Sequence, residues 1–200
     1  MPIAKFDITE STCIPLPLEN IDTDQIIPAR FLNATSRDGF GEKLFHDWRH
    51  LKNGEKNKDF VLNNLVFSGK TLVAGKNFGS GSSREHAVWA VYDYGFRIVV
   101  SSFFADIFKN NALNNGLLPI VIPEELLQKL LNLIKNDPLT KIGVNLENQT
   151  LTILPTGDCI KFEINAYKKE CLLKGLDDVD FLLSMKNRIT DYEENKNTTP

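Results

Sequence analysis

The chain has 200 residues, 42% of them hydrophobic, and a formal net charge of −3 at pH 7. That length fits one domain with a sizeable core, and the charge gives no electrostatic argument for nucleic acid or an anionic membrane surface. No apolar run approaches a bilayer span, and Met1 to Asp7 lack the apolar stretch and cleavage site of a secretory signal, so a cytoplasmic protein is expected.

In chain order, Ile14-Pro15-Leu16-Pro17-Leu18 reads as extended because of its prolines. Asn20 to Gln25 is a polar turn leading to Ile26-Ile27-Pro28-Ala29-Arg30-Phe31-Leu32. Residues 33–59 read as a long loop carrying one short helix, expected to be mobile until a partner binds. A strand at 71–75, a Gly/Ser turn, a helix over 85–94 and a strand from Arg97 to Ser101 make a βαβ unit with a parallel pair. Phe103 to Phe108 reads as a short helix, Asn114-Asn115-Gly116 as a turn, and Leu117 to Ile122 as another strand. Leu126, Leu127, Leu130, Leu131 and Ile134 give helical spacing over 124–135. Beyond Pro138 the alternation predicts three strands in a meander, then helices at 166–174 and 177–186. The expected organisation is one domain over 1–185 and a polar tail over 186–200.

Cys13, Cys159 and Cys171 are far apart and form no Cys-x-x-Cys pair. Neither a zinc site nor a disulfide framework is indicated, and three cysteines cannot supply the usual four thiolates of an iron–sulfur cluster. His46 and His50 are spaced to share a helix face, but no third ligand accompanies them, so no metal is assigned to this chain.

The most informative stretch is Gly79-Ser80-Gly81-Ser82-Ser83-Arg84-Glu85-His86, where a strand hands over to a helix. A helix start carries unpaired N–H groups and a positive dipole end, and so favours anions. Arg84 can hold a carboxylate through two parallel hydrogen bonds. Ser82, aimed into those dipoles, fits a base better than a nucleophile. Such a base can take a proton next to a carboxylate if a Lewis acid elsewhere withdraws charge, and that acid must come from a partner. Spacing excludes a Rossmann fingerprint, a P-loop and a nucleophile elbow. Ser82 to Glu85 also spells a capping box, which leaves open a non-catalytic anion-binding module with Ser82 only a cap. His86, in the first turn, fits a packing role as well as a chemical one.

Gly75-Lys76-Asn77-Phe78 through Ala87 resembles the signature of the aconitase-superfamily swivel domain. Asn20 to Leu32, Gly39 to Arg49 and Ser102 to Pro119 fit the same pattern, and together they resemble the small subunits of bacterial isopropylmalate dehydratases over most of residues 1–185. The resemblance implies an α/β fold: a swivelling β/β/α domain, a mixed sheet with a βαβ core and a flanking β meander. It implies a heterodimer whose large subunit carries a [4Fe-4S] cluster. The reaction implied is the interconversion of 2- and 3-isopropylmalate through isopropylmaleate in leucine biosynthesis, on a small dicarboxylic hydroxy acid. By motif position, Ser82 is the base and Asp24 an active-site acid. Ser83 and Arg84 bind a substrate carboxylate, and Arg30, Phe31 and Leu32 lie in the segment tied to substrate choice. Ser80 stands where many relatives have cysteine. Related hydro-lyases acting on homoaconitate or a methylmalate keep the same fold and remain the alternative activity.

Overall fold

The computed structural model describes residues 4–7, 10–33, 39–186, 190 and 192. The elements in chain order are β1 (Glu10–Leu16), α1 (Thr23–Ile26), a 3-10 turn (Ala29–Phe31), α2 (Phe40–Lys43), α3 (His46–Arg49), a second 3-10 turn (Val61–Asn63), β2 (Thr71–Ala74), α4 (Glu85–Asp93), β3 (Ile98–Ser101), α5 (Asp106–Asn114) and β4 (Leu118–Val121). They continue with α6 (Glu124–Asn136), β5 (Lys141–Asn145), β6 (Thr150–Ile153), β7 (Asp158–Lys161), α7 (Ala166–Lys174) and α8 (Asp178–Ser184).

The strands form one mixed sheet in the order β4-β3-β2-β1-β5-β6-β7. β1 to β4 are parallel, and β5, β6 and β7 follow as an antiparallel meander. β1 joins the two halves. Its residues Glu10 to Thr12 pair with β5 and Cys13 to Leu16 pair with β2. Pro15 therefore sits where the strand pairs with β2 alone, and Pro119 lies in β4 at the sheet edge. These are places where a missing N–H is tolerated.

Both faces of the parallel half are covered, so its strands read as unbroken apolar runs. Alternate residues serve two cores. Ile14, Leu16, Leu72, Ala74 and Val99 join α4 and the α1–α3 segment, whereas Cys13, Val73, Ile98 and Val100 join α6 and the meander. Helix α6 buries Leu127, Leu130, Leu131 and Ile134. That spacing makes one apolar stripe, and each such side chain contributes about 1.5–3 kcal/mol when fully buried.

Three expectations change. The stretch over 33–59 holds two one-turn helices, α2 and α3, with Phe40, Leu44 and Phe45 fully buried; residues 34–38 lie outside the described residues. Phe103 to Ala105 are extended, not helical. The Phe78 amide donates to the Phe103 carbonyl (3.2 Å) and the Ala105 amide to the Phe78 carbonyl (3.1 Å), which delays α5 until Asp106. α8 spans Asp178–Ser184, and most of the tail beyond it lies outside the described residues.

Candidate active site

The loops that follow β1, β2 and β3 meet at the carboxyl ends of the parallel strands, where open α/β sheets place ligands. Backbone bonds tie the first two loops together. The Gly79 amide (2.7 Å) and the Ser80 amide (3.2 Å) donate to the Ile21 carbonyl, and the Thr23 amide donates to the Ser80 carbonyl at 2.9 Å. The Thr23 hydroxyl then donates to the Ser82 carbonyl at 3.0 Å. Gly79 and Gly81 take φ values of +80° and +90°, open to residues without a side chain.

These bonds bring Asp24 of α1 to the turn before α4. The Arg84 guanidinium, mostly buried, pairs with the exposed Asp24 carboxylate. Only Nη1 of Arg84 is engaged with Asp24, so its other nitrogens keep donors for a second carboxylate. Ser82 and Ser83 are exposed beside it. The capping box expected at Ser82 to Glu85 does not form: Arg84 is the N-cap of α4 and no side chain caps that end. The Glu85 carboxylate instead accepts from the Asn115 amide at 2.8 Å, and Asn115 in turn accepts from the Trp89 indole at 3.0 Å. The capping box lies on α1, where Asp22 accepts from the Gln25 amide (2.7 Å) and Gln25 reaches back to the Asp22 amide (2.9 Å). The Ser82 hydroxyl is thus not used in capping, which removes the main support for a cap-only role.

Arg30, Phe31 and Leu32 belong to the 3-10 turn and its end, directly after α1. The Arg30 guanidinium pairs through both terminal nitrogens with Asp47 of α3, and one of them lies 3.3 Å from His46 Nδ1. That partner holds the Asp47 carboxyl below the usual range, while burial is the largest influence lowering His46. His46 and His50 stack at 4.2 Å. His86 packs its ring against Phe40 (5.6 Å) and Trp89 (4.6 Å).

Among the described residues no group of three or more His, Cys, Asp or Glu is placed to hold a metal ion. Cys13 on β1 and Cys171 on α7 are buried, and Cys159 on β7 is exposed. Burial pushes the Cys13 thiol up to about 12, the opposite of what a thiolate ligand needs. These residues do not fit a [4Fe-4S] cluster.

The family model described as the aconitase C-terminal domain matches residues 3–125, the part that holds every site residue above. A "3-isopropylmalate dehydratase small subunit" of Azobacteroides pseudotrichonymphae is 57% identical over 96% of this chain and 98% of its own length. The chain belongs to this aconitase-related family. A small subunit of the same name from Cytophaga hutchinsonii is 53% identical, covering 95% of this chain and 94% of its own. The crystal structure of 3-isopropylmalate dehydratase from Methanocaldococcus jannaschii superposes with a TM-score of 0.68 at 27% identity, over 93% of this chain and 99% of that one. The mixed α/β fold of the aconitase-related family is accordingly the one observed. Within this family chain, sequence reasoning missed Asn115 and Asp47. Asn115 is a buried amide at a helix end, visible only as part of an Asn-Asn-Gly turn; Asp47 follows His46 with nothing local to show that it meets Arg30.

Proposed function

We propose that this chain is the small subunit of a 3-isopropylmalate dehydratase, a hydro-lyase that works with a large subunit. The observation that carries this reading is the union of Arg84, Asp24 and the Ser82 turn at one end of the parallel sheet, in a chain so similar to proteins of that name. The reaction moves a hydroxyl between neighbouring carbons, by loss of water to isopropylmaleate and its re-addition in the opposite sense. Arg84 holds a substrate carboxylate with the donors Asp24 leaves free, and Ser83 adds a hydroxyl to the same group. Ser82, in alkoxide form near the positive end of α4, accepts the proton from the carbon beside the departing hydroxyl and returns it on rehydration. Asp24 fixes Arg84 and serves as the acidic group of the site. The Arg30–Leu32 segment borders the substrate side chain, with Phe31 and Leu32 toward it. The large subunit supplies the cluster that this chain's residues do not fit, and the pair works in the cytoplasm. Among the described residues no helix is long and apolar enough to cross a membrane.

The test mixes the chain with a cluster-loaded large subunit and follows isopropylmaleate hydration. Ser82→Ala is expected to lower kcat by about 100-fold or more while leaving stability within about 0.5 kcal/mol, as for a surface substitution that breaks no bond. Normal turnover in that variant refutes Ser82 as base. Faster turnover on homoaconitate or citraconate than on isopropylmaleate moves the assignment to a related hydro-lyase.

A further inference from the structure

Arg30 and Arg84 are both arginines near the proposed site, but their surroundings differ. Arg84 gives Asp24 one nitrogen. Arg30 gives Asp47 both terminal nitrogens, and one of these also reaches His46 Nδ1 at 3.3 Å. Its guanidinium carbon lies 4.6 Å from the centroid of its own neighbour, Phe31. The Phe31 ring in turn lies 5.0 Å from that of His46. A guanidinium can only donate, so a hydrogen bond from Arg30 to His46 requires Nδ1 as the acceptor, with the ring proton on Nε2; an Asp47 oxygen stands 3.5 Å from the same nitrogen.

The platform beneath this cluster is well anchored. The Phe45 amide donates to the Ile26 carbonyl at 2.8 Å, tying the start of α3 to the end of α1. Arg49 closes α2 onto α3 by donating to the carbonyls of Gly41, Glu42 and Leu44 at 3.2–3.3 Å. Asn63 donates to the Arg49 carbonyl at 2.7 Å. Phe45, fully buried, stacks on Trp48 at 5.3 Å.

A substrate carboxylate arriving at Arg30 would meet a guanidinium already neutralised by Asp47 and would stand beside that negative charge. We propose that Arg30 is a positioning residue: Asp47 and His46 hold its guanidinium so that Phe31 and Leu32, not Arg30, meet the substrate. This rests on the reading above, in which the Arg30–Leu32 segment faces the substrate side chain. Arg30 and Asp47 are both about half exposed, at 52% and 57%. Solvent screens such a pair, so its value lies in orientation more than in stability. The two-pronged geometry supplies that orientation.

Two measurements test it. In the free chain, the Phe31 amide donates to the Pro28 carbonyl (3.0 Å) and the Leu32 amide to the Ala29 carbonyl (3.1 Å). Asp47→Asn is expected to speed hydrogen exchange at both amides by about tenfold or more; unchanged exchange overturns the proposal without any appeal to activity. In the reconstituted enzyme, Asp47→Asn and Arg30→Gln are expected to raise KM for isopropylmaleate alike, by about tenfold, with kcat nearly kept. The exchange Arg30→Asp with Asp47→Arg is expected to recover most of that loss. If Arg30→Gln alone raises KM, or the exchange recovers nothing, Arg30 is itself a carboxylate ligand and the proposal fails. A wild-type pair without turnover refutes the dehydratase reading instead, and the exchange measurement still decides the role of Asp47.

Discussion

Gly79 shows how much one hydrogen in place of a side chain can matter. Its φ of +80° already disfavours other residues, and a Cβ there would lie 2.3 Å from Cγ of Phe108. Phe108 is nearly fully buried and packs edge-on to Phe78 at 5.1 Å, so it has little room to yield. Gly79→Ala is therefore expected to cost about 2–4 kcal/mol, backbone strain and overpacking together. Gly157→Ala, at φ +74° with nothing within 4 Å, should cost only about 1–2 kcal/mol of strain. Urea midpoints measure both, and equal losses would remove Phe108 from the explanation. Gly79 was legible in the sequence as part of a Gly/Ser turn between a strand and a helix. Phe108 was not, because its approach depends on where α5 starts. The same limit applies to the two capping patterns. Asp22 to Gln25 and Ser82 to Glu85 both fit the local rule, yet only the first forms, because Asn115 takes Glu85.

At the level of elements, periodicity found most helices and strands, and long-range partners moved their ends. β1 read only as a proline-extended stretch, since nothing local shows that it joins two half-sheets. α7 and α8 were both legible, but their contact was not. Tyr167 and Lys168 of α7 donate to Asp178 at the start of α8, at 2.7 and 2.6 Å, and the Tyr167 ring meets Phe181 edge-on at 4.6 Å. Lys168 first, then Tyr167, lowers the Asp178 carboxyl, and the bond to Asp178 is the largest influence raising the Tyr167 phenol. A lowered carboxyl stabilises the fold above its ordinary value of about 4 and loses that contribution as pH falls through the lowered one. A raised phenol stabilises below its ordinary value of about 10 and loses its share as pH rises through the raised one. Protection of α8 amides should accordingly be flat from about pH 5 to 9 and fall on either side. Asp178→Asn should weaken the fall on the acid side. Protection that survives unchanged to about pH 2 would show that Phe181 alone holds α8 in place.

For the whole molecule, the sequence led to a βαβ core with a meander beside it, and the sheet has that form. The pairing order across β1 had to come from the structure. The thiols give a global check of this packing. Cys159 on β7 is exposed, whereas Cys13 and Cys171 are 0% and 3% exposed. A maleimide should modify one thiol of the native chain promptly and all three in denaturant. The two slow thiols should lag by about 100-fold or more, since they must wait for opening of the structure. Two fast thiols would mean that the face of α7 carrying Cys171 is not held against the rest of the chain. The position of Cys159 has one more use. β7 lies three strands from β1, roughly 14 Å along the sheet, and the hydrogen bonds that build the half-site all come from residues up to Asn115. A chain tethered to a solid support through that sulfur would leave the proposed site unobstructed, as bait for the proposed large subunit.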